Sequence, residues 1–123
     1  MGDGPALGQL KRAHPEVTFT GAKTGEELAC HMAAADVFVL PSLTDTFGVV
    51  LLEAMACGVP VAAYPVAGPN FLITEGVNGA LDNDIQAAAL RALTVSPEIC
   101  RDFASDFSWD ACTRQFFRNL ALQ

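Results

Sequence analysis

The sequence predicts an α/β fold of three layers built on a parallel sheet. Three observations carry that expectation. Val37-Phe-Val-Leu40 and Val61-Ala-Ala-Tyr64 are short apolar runs, β-rich and brief enough to be buried strands. Between them, residues 47–57 read as a helix, closed by Gly58-Val-Pro60: glycine suits the position just past a helix end, and proline cannot continue one. Helical and strand-like segments alternate on both sides of this strand, loop, helix, strand unit.

The elements follow in order. Pro5 suits a first helical turn, so residues 6–13 form a helix ended by His14-Pro15. Val17-Thr-Phe-Thr20 alternates and reads as a strand. Thr24, with Glu27 three residues on, has the form of a capping box opening a helix over residues 25–35, with Leu28, Met32 and Ala35 on its apolar face. Tyr64 to Asn70, with two prolines and a glycine, reads as a rigid loop, and Glu75 to Gly79 as a turn. Ala80-Leu81 is a short last strand. Asp82 or Asn83 caps a helix over residues 84–93. Two further helices cover residues 97–107 and 108–120, the last with Phe116, Phe117 and Leu120 as its apolar positions.

Composition sets limits. The chain has 123 residues, 51% of them hydrophobic, with mean hydropathy +0.32, enough for one domain with a core. A net charge of −7 argues against a nucleic-acid partner. No apolar run reaches the length of roughly 20 residues that a membrane span needs. The N-terminal residues have neither the basic nor the apolar segment of a secretory signal. Cys30, Cys57, Cys100 and Cys112 are widely spaced, form no ligand pattern and suit reduced thiols in the cytoplasm. Cys30-His31 is a candidate metal pair that nothing else in the sequence supports.

The chemistry gathers between Ser42 and Glu53. Gly48 is expected in the first turn of the central helix, leaving the amides of Phe47, Gly48, Val49 and Val50 without intrahelical partners. These amides, at the positive end of a helix dipole, suit a phosphate, and a Cβ at position 48 would crowd it. Asp45 precedes the helix, where a carboxylate can accept bonds from sugar hydroxyls. Glu53 lies roughly 7 Å along the helix at the standard rise per residue, about a phosphate-to-ribose distance. It can take both ribose hydroxyls in a bidentate way. Simpler roles compete: Asp45 or Thr44 as a helix cap, and Glu53 as an ordinary solvated helix residue. All seven Lys and Arg lie outside residues 24–90, with Lys23 the one nearby candidate cation for a diphosphate.

The run Ser42, Asp45, Phe47-Gly48, Glu53-Ala-Met-Ala and Gly58-Val-Pro60 resembles the signature of retaining GT-B glycosyltransferases of the group 1 type. That large family includes sucrose synthases and mannosyltransferases. Its pattern is an acid, seven residues, then a Glu; here it reads Asp45 to Glu53, with Asp where the family more often has Glu. The resemblance extends from Gly2-Asp-Gly-Pro5 to Phe107-Ser-Trp109 and is strongest to bacterial members similar to α-mannosyltransferases and lipid-linked hexosyltransferases.

The resemblance implies that residues 1–123 are a partial C-terminal, donor-binding domain, a Rossmann-like half of a GT-B fold lacking its first strands. It makes Asp45 and Glu53 the candidate catalytic residues. Thr46, Phe47, Gly48, Val49 and Glu53 would bind the donor. Thr20 and Gly21 would lie beside the nucleobase, with Ala22 next to them, and Lys23 near the diphosphate. Gly68 and Asn70 would face the sugar; the family often has an acid near position 71, where this chain has Phe71. The donor would be a nucleoside-diphosphate sugar, with no metal and no cofactor. The terminal helix either reaches towards a separate N-terminal acceptor domain or packs on its own sheet. Membrane association of the full enzyme, in glycan or glycolipid biosynthesis, would not be encoded in these residues. Two alternatives stand beside this reading: a non-catalytic nucleotide-sugar-binding module or subunit completed by another polypeptide, and a structural fragment with a vestigial site. In the first reading the isolated chain is expected to be inactive without the acceptor domain.

Overall fold

The computed structural model describes residues 1–120. The chain divides into two compact units, residues 1–31 and the residues from Met32 onward.

The first unit holds α1 (Leu7–Ala13) and most of α2 (Gly25–Ala33). No residue of α1 is buried, and Met32, the one buried residue of α2, falls just past the boundary. The strand expected at Val17 to Thr20 does not form. Those residues pair with no strand among the described residues, and a ladder is what turns extended backbone into sheet. The amide of Val17 instead closes a turn onto His14 O at 3.1 Å, and Gly2 N–H donates to Gly21 O at 2.9 Å. Nor does the capping box form, because the Glu27 carboxylate is held by Lys23.

The second unit is a three-layer sandwich. Strands β1 (Phe38–Leu40), β2 (Val61–Ala63) and β3 (Gly79–Leu81) make a parallel sheet in the order β1-β2-β3. Alternation sorts their side chains. Val61 and Ala63, with Phe38, Leu40 and Leu81, face the core formed with α3 (Val49–Ala56) and α6 (Pro97–Ser105). Ala62 and Ala80 face Ala88 and Ala92 of α5 (Ile85–Ala92) on the other side, where small side chains suit close packing of helix on sheet.

The helix ends follow from local chemistry. α3 closes as a Schellman motif, with Val59 N–H on Ala54 O at 3.0 Å and Gly58 N–H on Met55 O at 2.8 Å; Gly58, at φ 79°, supplies the left-handed residue. α5 is capped by Asp84 rather than by Asp82 or Asn83: Asp84 Oδ1 accepts from the amides of Gln86 and Ala87. Asp82 instead accepts from the Asp84 amide and takes the Arg91 guanidinium. The expected loop after β2 contains a short helix, α4 (Ala67–Leu72). Pro69 is tolerated because it sits in the first turn, where its missing N–H has no intrahelical partner to lose. Asn78, inside the expected turn, is completely buried; its Nδ2 donates to Leu72 O at 3.0 Å and its Oδ1 accepts from Thr74 N–H at 2.8 Å. Burial pushes the Cys100 thiol above its usual range. α7 (Trp109–Asn119) is capped by the Ser108 hydroxyl and buries none of its residues, so it does not pack on its own sheet as one expectation had it.

Two predictions follow from this packing. A Cβ on Gly79 would lie 2.3 Å from Val61 O, in the backbone of the central strand. Gly79→Ala is therefore expected to destabilise the second unit by about 1–3 kcal/mol, measured by denaturant unfolding. Around Arg91, Nε meets Glu75 Oε1 and Nη1 meets Asp82 Oδ2, each at 2.9 Å. The Leu81 amide first, and then Arg91, hold the Glu75 carboxyl below its usual range; the Asp84 amide first, and then Arg91, do the same for Asp82. Carboxylates with lowered folded values stabilise above their unfolded values and lose that contribution as pH falls through the folded ones. Arg91→Met should lower the thermal midpoint at neutral pH, and its deficit against the parent chain should shrink as the pH is taken down through the carboxylate range.

Candidate functional site

The candidate site forms where two parallel strands end side by side. β1 leads into the loop that carries Asp45, and β2 leads into α4. Gly68 N–H donates to Asp45 O at 3.2 Å, tying the two connections together. Their approach is close: a Cβ on Gly68 would lie 2.9 Å from Phe47 N and 3.1 Å from Asp45 Oδ1. Only a residue without a side chain fits there.

Asp45 Oδ1 accepts from Phe47 N–H at 3.0 Å, a local turn stabilised by the side chain. This corrects two expectations. The Phe47 amide is occupied by Asp45, so it is not one of the open donors. Asp45 folds the loop before the helix and does not cap the helix itself. The residue at the cap is Gly48, at φ 82° and ψ 52°, so α3 starts at Val49 rather than at Phe47. Glycine is needed here chiefly for that left-handed conformation, and a Cβ would also strike Leu51 Cδ1 at 2.8 Å. Crowding of a ligand is therefore not needed to account for it. Leu51 N–H closes onto Gly48 O at 2.9 Å. The amides of Gly48, Val49 and Val50 make no hydrogen bond among the described residues, and they sit at the positive end of α3.

Glu53 lies one turn further along α3, exposed, and its carboxylate makes no hydrogen bond or ion pair among the described residues. Beside it runs a groove of about 330 Å³, lined by Phe47, Leu52 and Glu53 on one side and by Phe107 and Trp109 on the other. The part played by Trp109 was not legible in the sequence, since it depends on how α6 and α7 return past α3. Thr46 is exposed in the loop. Next to Asp45, the Phe47 and Phe71 rings meet at 5.9 Å between centroids. Asn70, like Phe71, is exposed on α4.

The structure thus brings Asp45, Phe47, Gly48 and Gly68 into contact, with Val49 and Glu53 following on the same helix. Thr20, Gly21 and Lys23 belong to the first unit. There, Thr20 Oγ1 lies 3.5 Å from Gly21 O, and the Lys23 ammonium is engaged by Glu27. No group of three or more metal-ligating side chains gathers among the described residues. No described helix is long and apolar enough to cross a membrane.

Comparison with known proteins places this geometry. The chain is 38% identical over 132 aligned positions to the GDP-mannose-dependent alpha-mannosyltransferase of Corynebacterium glutamicum, covering 98% of this chain and 32% of that protein. The structure matches sucrose-phosphate synthase from Thermosynechococcus elongatus with a TM-score of 0.76 at 30% identity, over 95% of this chain and 35% of the synthase. It also matches Anabaena HepE in complex with UDP-glucose, with a TM-score of 0.72 at 26% identity, over 95% of this chain and 37% of HepE. The chain therefore spans about a third of the length of these proteins, and its parallel sheet with flanking helices is that of GT-B glycosyltransferases. Residues 1–96 match the family described as glycosyl transferases group 1, and the chain belongs to that family.

Proposed function

We propose that this chain is the donor-binding part of a retaining glycosyltransferase that transfers a hexose from a nucleoside-diphosphate sugar. One observation carries the reading. The start of α3 offers three open amides, at Gly48, Val49 and Val50, between an anchored carboxylate at Asp45 and an exposed one at Glu53. Acceptor, donor cluster, acceptor is the complement of what a sugar, a diphosphate and a ribose present in that order: hydroxyls, phosphate oxygens and hydroxyls.

In this reading the amides and the dipole of α3 receive the diphosphate. As the bond to the sugar breaks, charge builds on the departing diphosphate, and donors already in place stabilise it without reorganising. Glu53 holds the ribose hydroxyls. Asp45, whose Oδ1 is fixed by the Phe47 amide, takes hydroxyls of the sugar. Further positive charge would come from the rest of the donor-binding half, and the acceptor site from a separate N-terminal domain, both within the remaining length of the relatives.

Thermal unfolding of the 123-residue chain with GDP, UDP and ADP, each at millimolar concentration, tests this reading. The GDP-mannose dependence of the corynebacterial relative makes GDP the nucleotide expected to act. A nucleotide at 100 times its Kd should add about 2.7 kcal/mol to stability and raise the midpoint. Glu53→Gln should weaken that nucleotide by about tenfold or more, because a charged acceptor is lost. Asp45→Asn keeps a side-chain oxygen for the Phe47 amide, so it should leave the ligand-free midpoint in place and weaken the sugar nucleotide. A cooperative transition indifferent to all three nucleotides would sink the proposal. Binding untouched by the two substitutions together would favour a vestigial site.

A further inference from the structure

Beside Asp45 stands an aromatic pair that the donor-binding reading leaves unused. Phe71 on α4 is 71% exposed and Phe47 is 40% exposed, and their rings meet at 5.9 Å with a 42° tilt. Their backbones are fixed relative to the carboxylate. Phe47 N–H donates to Asp45 Oδ1, and Gly68, three residues before Phe71 on α4, is bonded to Asp45 O. Residues three apart share a helix face, so the closeness of Gly68 to Asp45 puts Phe71 on the same side. The result is a carboxylate flanked by exposed ring surface, in a stretch of sequence without Lys or Arg from residue 24 to residue 90.

A pyranose has matching chemistry. Its hydroxyls point outward and suit a carboxylate, while the C–H bonds of one ring face form an apolar patch that packs on the electron-rich face of an aromatic ring. We propose that Phe71, supported by Phe47, is a specificity-determining residue that packs against the hexose of the bound donor while Asp45 holds its hydroxyls. This rests on the donor-binding reading and adds to it how the sugar is held. Where the resembled family often carries an acid, this chain holds its sugar by apolar contact.

The test compares each nucleotide with its sugar nucleotide. Titration calorimetry of the 123-residue chain measures Kd for GDP and GDP-mannose, and for UDP and UDP-glucose. In the parent chain the sugar nucleotide of the pair that binds should be tighter than its nucleotide by about fivefold. Phe71→Ala should abolish that ratio while leaving the Kd of the bare nucleotide within about twofold, and Phe71→Trp should keep the ratio. Phe71 is so exposed that neither substitution should move the ligand-free unfolding midpoint, which is measured alongside. A ratio unchanged in Phe71→Ala, or absent in the parent chain, overturns the role of Phe71 and leaves the nucleotide site standing. Failure of both pairs to bind overturns the donor-binding reading and this inference together.

Discussion

Complete burial of β2 is the constraint from which the second unit follows. Val61, Ala62 and Ala63 are fully buried, so this strand has to be paired on both edges and covered on both faces. α3 and α6 cover one face and α5 the other. Parallel pairing puts the carboxyl ends of β1 and β2 at the same edge of the sheet, where open α/β sheets bind their ligands. The Asp45 loop and the start of α4 meet there because the two strands that carry them are neighbours.

The contact between those two connections is made by backbone, and this determines what each side chain is left to do. Gly68 comes close enough to bond Asp45 O, and Asp45 then spends one carboxylate oxygen on the Phe47 amide. Expected as a helix cap or a ligand, Asp45 shapes the loop instead of capping the helix, and its carboxylate has further acceptor sites beyond the one used. Gly48 turns the chain through a left-handed conformation into α3, and the amides that follow stay open.

The exposed apolar residues are distributed unevenly. β2 and the faces packed on it are dry, while Phe71, Val49, Trp109, Phe116 and Phe117 stand in solvent around the loop edge and along α7.

The sequence alone determined the elements whose causes are local. Gly58-Val-Pro60 closes α3 because a Schellman turn needs only a glycine and the next amide. β1, β2 and the short β3 were legible as apolar runs, and the Asp45 to Glu53 spacing marked the candidate site before any geometry was known. Tertiary structure decided what depends on neighbours. Val17 to Thr20 alternates like a strand yet finds none to pair with among the described residues. The prolines after β2 read as a loop, but Pro69 lands where a helix tolerates it. The sequence pointed to open amides but assigned Phe47 among them; only the fold of the loop shows that Asp45 takes that one. Likewise no pattern in the sequence links Phe47 to Phe71, or Glu53 to Trp109. Those pairs are set by how parallel neighbouring strands and returning helices place distant residues, whereas caps, turns and hydrophobic periods are settled within a few residues of chain.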